Sequence, residues 1–221
     1  MNSIKHACSL NNQGVDLLIA GESSRAMNAF QTAVGLLKAA VHEAEKSACT
    51  GMDQFCDNES LPFCESTSTV SGLQGLHCYV YKHGVMISGN VDEETEATIS
   101  LYIAIVLFNL ALASHCQGTA LGRDALLKKA SVLYTLVVQL LNRSTIPEDA
   151  SNTILTLLAL NNKAQIHYDQ CEYAESVDCI KYISQIMGRI PGLHFALHPD
   201  DLEGLMLNAM LLRTPSGAQA A

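Results

Sequence analysis

Apolar residues recur at the spacing of an α-helix along most of this chain. Such a period turns one apolar face toward a core and predicts helices rather than strands. The exception is the stretch 48–91, where Ser, Gly, Cys and turn-forming residues concentrate. Helices are predicted at about 3–20, 23–47, 93–117, 121–142, 147–170, 173–188 and 200–212. The pattern therefore predicts an all-α fold, interrupted by a loop or extended insert at about 49–91.

The insert divides into two parts of different character. Its first part, 49–72, has no hydrophobic period and predicts an irregular excursion. The run HCYVYKHGVMIS at 77–88 is rich in β-branched and aromatic residues around Gly84. We therefore expect an extended segment or a short hairpin there.

The helical part of the chain contains an internal repeat. A shift of 150 positions aligns Leu10-Asn11-Asn12 with Leu160-Asn161-Asn162, and a shift of 97 brings Asn109 onto Asn12. Each copy predicts a helical hairpin in which small residues let the two backbones approach closely and a large residue fills the adjoining groove. The small pairs are Gly14 with Ala26, Ala111 with Ala130 and Ala164 with Ser176, and the large residues are Phe30, Tyr134 and Ile180.

The first copy resembles a tetratricopeptide repeat, because Leu10, Gly14, Leu17, Gly21, Ala26, Phe30 and Ala33 follow that family's order and spacing. The copies lie at about 7–40, 104–141 and 157–190. The resemblance implies one domain over 1–221, a right-handed α-α superhelix of three hairpins capped by a helix at about 200–212. The phrase FNLALASH at 108–115 and the C-terminal sequence also resemble tetratricopeptide-like proteins from algae, which have no assigned activity.

In that family the first helices of the hairpins line a concave groove that binds a peptide or another protein. The resemblance places these residues in the groove: Asn11, Asn12, Val15, Phe108, Asn109, Leu112, His115, Asn161, Asn162, Gln165 and Tyr168. Three of the asparagines share one repeat position and would form a ladder. Their amides either bind the backbone of an extended peptide or hydrogen-bond neighbouring helices and fix the stacking. No Lys or Arg lies among these residues, so capture of a terminal carboxylate is not expected.

Charge, hydropathy and cysteine usage bear on the partners, metal sites and location that we expect for the protein. Thirteen Lys and Arg against 22 Asp and Glu give a formal net charge of −9, which disfavours nucleic acid and anionic membrane as partners. The longest apolar stretch, 99–113, is short for a bilayer span and predicts a buried core helix. The eight cysteines contain no CxxC pair, so no metal site is predicted. With no signal-peptide pattern, we expect reduced thiols and a cytoplasmic location.

Known catalytic motifs are missing from the sequence: there is no phosphate-binding glycine loop, HExxH or GxSxG. We therefore expect no enzyme activity and no cofactor. The expected function is a non-catalytic protein–protein interaction module that binds a partner segment in the groove. The alternative is a self-associating structural or scaffold protein whose groove is filled by its own insert or by a second copy.

Overall fold

The computed structural model describes residues 3–48, 63–65, 79–88, 95–143, 150–188 and 198–211. The helices are α1 (Ser3–Ile19), α2 (Ser23–Ala48), α3 (Glu96–Leu121), α4 (Asp124–Arg143), α5 (Ala150–Asp169), α6 (Tyr173–Met187) and α7 (Pro199–Leu211). Two short strands, β1 (Phe63–Glu65) and β2 (Val85–Ile87), pair antiparallel. The predicted all-α class is confirmed. The rest of the predicted insert and the predicted helix starts at 93 and 147 lie outside the described residues.

The helices pack in chain order. Within each hairpin, α1 packs on α2, α3 on α4 and α5 on α6, while α2–α3 and α4–α5 join one hairpin to the next. The first helices also touch one another, α1 with α3 and α3 with α5, and α7 contacts α6. The first helices therefore share one side of the array.

The central helix is α3, whose buried residues include almost every position from Leu101 to His115. It is long and apolar enough to cross a membrane, yet most of its apolar stretch is buried by the other helices. The core helix of a water-soluble domain has the same character, so this helix by itself indicates nothing about a membrane.

The three hairpins share one turn geometry. Gly21, Gly122 and Cys171 each have positive φ, at 78°, 60° and 61°. The residue after each of them donates a backbone hydrogen bond of 2.8 Å to the carbonyl five positions back, which is the Schellman ending of a helix. Identical turns at equivalent places give the repeat a local structural basis.

The turn of the second hairpin lies later than predicted, because α3 ends at Leu121 and α4 begins at Asp124. Gly118 does not end the helix but remains helical, and a Cβ there would lie 2.9 Å from Leu127. The left-handed residue that the turn needs is Gly122.

The predicted small and large positions of the repeat are all buried. A Cβ on Gly14 would overlap the Phe30 ring, with Cδ1 at 2.8 Å. The other small residues and the large residues are completely shielded from solvent: Ala26, Ala111, Ala130, Ala164, Ser176, Phe30, Tyr134 and Ile180. Direct contact between the remaining small pairs stays a prediction.

Candidate functional site

Residues 79–88, here called the groove segment, lie along the first helices of the array. Hydrogen bonds connect Tyr79 to α7 and α5, Tyr81 to α5, Val85 to α3 and α1, and Ile87 to α1. The segment therefore runs from α7 toward α1, opposite to the order of the helices. The predicted extended structure is present at Val85–Ile87, and this strand pairs with β1 rather than with another part of the segment.

Three asparagines on α1 and α3, the first clamp, bind the backbone of Val85 and Ile87. Asn109 accepts from the Val85 N–H at 2.8 Å and donates to the Val85 carbonyl at 2.7 Å. Asn12 does the same for Ile87, with both bonds at 2.9 Å. Asn11 donates to the Val85 carbonyl at 3.0 Å and accepts from Asn109 at 2.8 Å.

Three asparagines on α5 and α7, the second clamp, bind Tyr79 and Tyr81 in the same way. Asn208 accepts from the Tyr79 N–H at 2.8 Å and donates to its carbonyl at 2.6 Å. Asn162 makes both bonds to Tyr81 at 2.9 Å. Asn161 donates to the Tyr79 carbonyl at 3.2 Å and accepts from Asn208 at 2.7 Å.

The spacing of the two clamps matches the spacing of the helices. Equivalent backbone groups of the segment lie six residues apart, as Tyr79 and Val85 do. An extended chain advances about 3.3 Å per residue, so six residues span roughly 20 Å. Two successive helix contacts of about 8–10 Å span the same length. The two clamps therefore make the same set of hydrogen bonds to the segment. The second clamp, on α5 and α7, lies two first helices further along the array than the first, on α1 and α3.

The backbone polar groups of β2 point alternately to its two edges, so the edge that faces away from the first clamp can pair with another strand. The backbone polar groups of residues 85 and 87 point to the first clamp, and those of Met86 then point the opposite way. Met86 is the residue in register with Cys64 of β1. The strand β2 thus lies between amide side chains on one edge and β1 on the other.

The side chain of Tyr81 is anchored in an aromatic cluster. Tyr81 is 1% exposed, and its ring centroid lies 6.0 Å from that of Phe108. Phe108 in turn meets Tyr134 at 5.7 Å. The Tyr134 hydroxyl accepts a hydrogen bond of 3.1 Å from Asn162, which links the second clamp to the same cluster.

Two glycines let the segment approach the helices closely. A Cβ on Gly84 would lie 2.9 Å from both methyl carbons of Val15 on α1. A Cβ on Gly204 of α7 would overlap the ring of Tyr79. The Tyr79 hydroxyl also hydrogen-bonds the buried carboxylate of Asp201. The two glycines therefore leave room for Val15 beside the segment and for the Tyr79 ring beside α7.

Burial shifts the pKa values of two titratable side chains on α3. Burial, and secondarily the charge of Lys82, lowers the pKa of His115 to about 4. Burial also raises the pKa of the Cys116 thiol, whereas a nucleophilic cysteine requires a lowered one. Within the described ranges, no three His, Cys, Asp or Glu side chains are grouped so that they could hold a metal ion.

The structure brings most of the predicted groove residues to the segment. The asparagines bind its backbone. Val15 lies against Gly84, and the Phe108 ring packs beside that of Tyr81. Leu112 and His115 are buried. Gln165 is also buried and donates to Asp169 at 2.8 Å, and the Tyr168 ring meets Tyr173 edge-on at 5.4 Å.

Sequence reasoning missed three contributors, all on α7: Asn208, Gly204 and Asp201. The predicted role of this helix was to cap the array. It also supplies Asn208, one of the three asparagines of the second clamp. A signal was available, because Asn208 stands between apolar residues in LNAM much as Asn109 does in FNLA.

Comparisons of the chain with protein-family models, with curated proteins and with solved structures find no match.

Proposed function

We propose that this protein is a non-catalytic protein-interaction module whose groove binds an extended protein segment through its main chain, with the groove segment as the resident occupant. The observation that carries the proposal is that both clamps bind the N–H and the carbonyl of alternate residues with paired amide bonds. This is how an added strand is recognised at a sheet edge, with side-chain amides in place of backbone.

Main-chain recognition makes an exchange of occupants chemically reasonable. Every peptide presents the same N–H and carbonyl groups, so a partner segment would satisfy the clamps as residues 79–87 do. An emptied groove would leave buried amides unpaired, at a cost of about 1–3 kcal/mol for each group. The groove would therefore always hold one strand, and a partner would act by replacing the resident one.

We also propose that the hairpins form a right-handed superhelix of the tetratricopeptide type. The identical Schellman turns and the sequential packing of the helices support it. A protein partner, the absence of cofactor and a cytoplasmic location remain part of the same proposal. The raised thiol pKa of Cys116 supports a role without catalysis.

A second candidate is a structural protein whose groove is filled permanently by its own segment or by that of a second copy. The depth of burial favours it, since Tyr81 and Val85 are each 1% exposed. Side chains buried to this extent contribute to the core as a helix residue does. In this case the clamps would be part of the fold, and exchange between copies would produce dimers.

A peptide added in trans distinguishes the two candidates. The full chain carrying Tyr81→Ala and Val85→Ala keeps every clamp residue but holds its own segment weakly. A fluorescent peptide of sequence YVYKHGVMIS (residues 79–88) should bind this variant saturably in fluorescence anisotropy. The same variant with Asn109→Ala and Asn162→Ala added should not bind it.

If the double variant unfolds, the single variant Gly84→Val replaces it, because its added methyl groups would meet Val15 and loosen the segment. Molar mass is measured in parallel by light scattering. Folded variants that bind no peptide in either background would overturn the proposal in favour of the structural candidate. A dimer of the unmodified chain that becomes a monomer in the Tyr81→Ala/Val85→Ala variant would favour exchange of the segment between two copies.

A further inference from the structure

The groove segment is also a template for the sequence that the groove selects, an inference that rests on the proposed function. We infer that the partner is an extended segment of the pattern aromatic-x-aromatic-x-x-Gly-aliphatic-x-aliphatic, bound from α7 toward α1. In the chain itself Tyr79, Tyr81, Gly84, Val85 and Ile87 occupy the specified positions.

The register of the partner is fixed by the two clamps. Each clamp binds residues i and i+2, and the same contacts recur six residues later. A partner must therefore remain extended over nine residues to satisfy both clamps. Neither a helix, which rises about 1.5 Å per residue, nor a tight turn would span that distance with nine residues.

The first position of the pattern selects tyrosine among the aromatic residues. The ring of Tyr79 lies against Gly204, where any side chain on the helix would overlap it. Its hydroxyl hydrogen-bonds Asp201, which is 5% exposed. A phenylalanine would leave this buried carboxylate without that donor, which is costly.

The third position selects an aromatic ring. Tyr81 lies beside Phe108 and, at 5.3 Å, His83, in edge-on and tilted arrangements that rings prefer. The sixth position selects glycine, because a Cβ on Gly84 would lie within 2.9 Å of Val15. Val15 is itself fully buried, so the helix side chain has no solvent-facing space to move into.

The seventh and ninth positions select aliphatic side chains, and the second, fourth and eighth positions are tolerant. Val85 and Ile87 are 1% and 6% exposed, whereas Lys82 is exposed and Val80 and Met86 are half-buried. Val85 and Ile87 follow the alternation expected of a strand with one buried face, whereas Gly84 is specified by its close approach to Val15.

A panel of single-substituted peptides tests the pattern on the Tyr81→Ala/Val85→Ala chain, with Gly84→Val as the second background. In the YVYKHGVMIS peptide, Tyr81→Ser, Gly84→Val and Val85→Ser should each weaken binding by about tenfold or more. Lys82→Ser and Met86→Ser, the matched changes at tolerant positions, should alter it by less than about threefold. Tyr79→Phe should weaken binding, and Asp201→Asn in the protein should reduce the difference between the unsubstituted peptide and the peptide carrying Tyr79→Phe.

The outcomes separate the pattern from the proposed function. If all peptides bind with equal affinity, or if Lys82→Ser costs as much as Tyr81→Ser, the pattern is overturned while main-chain binding stands. If no peptide binds to either folded background, the proposed function fails and the pattern fails with it. A graded loss confined to the specified positions supports both.

Discussion

At the residue scale, Asn109 shows how one amide side chain connects two helices and the groove segment. It is fully buried, both hydrogens of its amide donate, to Val85 and to Asn11, and its oxygen accepts from the Val85 N–H. A single side chain thus joins α3, α1 and the groove segment. Because an amide carries both donors and an acceptor, no other side chain of this size would replace it.

We predict that Asn109→Ala lowers the free energy of unfolding by about 2–3 kcal/mol, because it leaves the buried Val85 amide and the Asn11 oxygen with fewer partners. Urea denaturation followed by circular dichroism measures the change. The matched control is Asn142→Ala, an exposed asparagine whose oxygen accepts a 3.3 Å bond from Tyr182. That variant should stay within about 0.5 kcal/mol, and an equal loss in both would argue against the clamp.

A second residue-scale prediction concerns Cys171, which holds the left-handed conformation that Gly21 and Gly122 hold in the other turns. A side chain costs about 1 kcal/mol in that region. Cys171→Gly should therefore raise the free energy of unfolding by about 0.5–1 kcal/mol, and thermal unfolding should detect it. Since Cys171 is exposed, little packing is lost. The converse variant Gly21→Ala should lower stability, and a gain there would contradict the strain.

At the element scale, the hairpins are held by small residues that let two helices approach. The clearest case is Gly14 of α1 against Phe30 of α2, because the ring is fully buried and has no room to retreat. The same helix carries Asn11 and Asn12 to the groove. Packing inside the hairpin therefore fixes where the first clamp lies.

We predict that Gly14→Ala lowers the free energy of unfolding by about 1–3 kcal/mol, because the added methyl overpacks the α1–α2 contact. Gly35→Ala is the control, since a Cβ at this position of α2 meets no atom within 4 Å. Alanine should there raise stability by about 0.5–1 kcal/mol through its higher helix propensity. If both changes stabilise equally, the close approach of α1 and α2 is refuted.

At the scale of the whole molecule, the array buries ionisable groups that an unfolded chain would expose. His115 is 2% exposed on the central helix, and among the described residues its Nδ1 has no hydrogen-bond partner. Its pKa of about 4 lies below the ordinary value of 6.5, first because of burial and then because of Lys82. The folded protein therefore takes up this proton at a lower pH than the unfolded chain does.

The sign of the resulting pH dependence follows from linkage. Between about pH 6.5 and 4 the unfolded state binds the proton and the folded state does not, so stability falls as pH falls. At pH 5 the loss attributable to His115 should be about 2 kcal/mol relative to pH 7.5. His115→Gln should remove this part of the acid loss while other groups titrate as before. Parallel pH profiles for the two proteins would contradict the burial of a neutral imidazole.

Much of the fold and part of the groove could be predicted from local patterns. The helical period located the seven helices of the described residues, and the repeat identified five of the six clamp asparagines, because periodicity reflects which face a helix buries. The second turn was misplaced, because Gly118 and Gly122 are both glycines; Gly118 remains helical beside Leu127, and Gly122 takes the left-handed conformation. Asn208 was missed since it stands alone in a helix outside the three recognised copies.

Helical hairpins with asparagines on their first helices follow from the local sequence, because helix period and small-residue spacing are local properties. The groups that those amides bind depend on how the helices and the groove segment pack together. A side-chain amide satisfies a neighbouring helix as well as a peptide, and here it does both, as Asn11 and Asn161 show. That residues 79–88 occupy the groove depends on contacts between positions up to 129 residues apart, which no local pattern encodes.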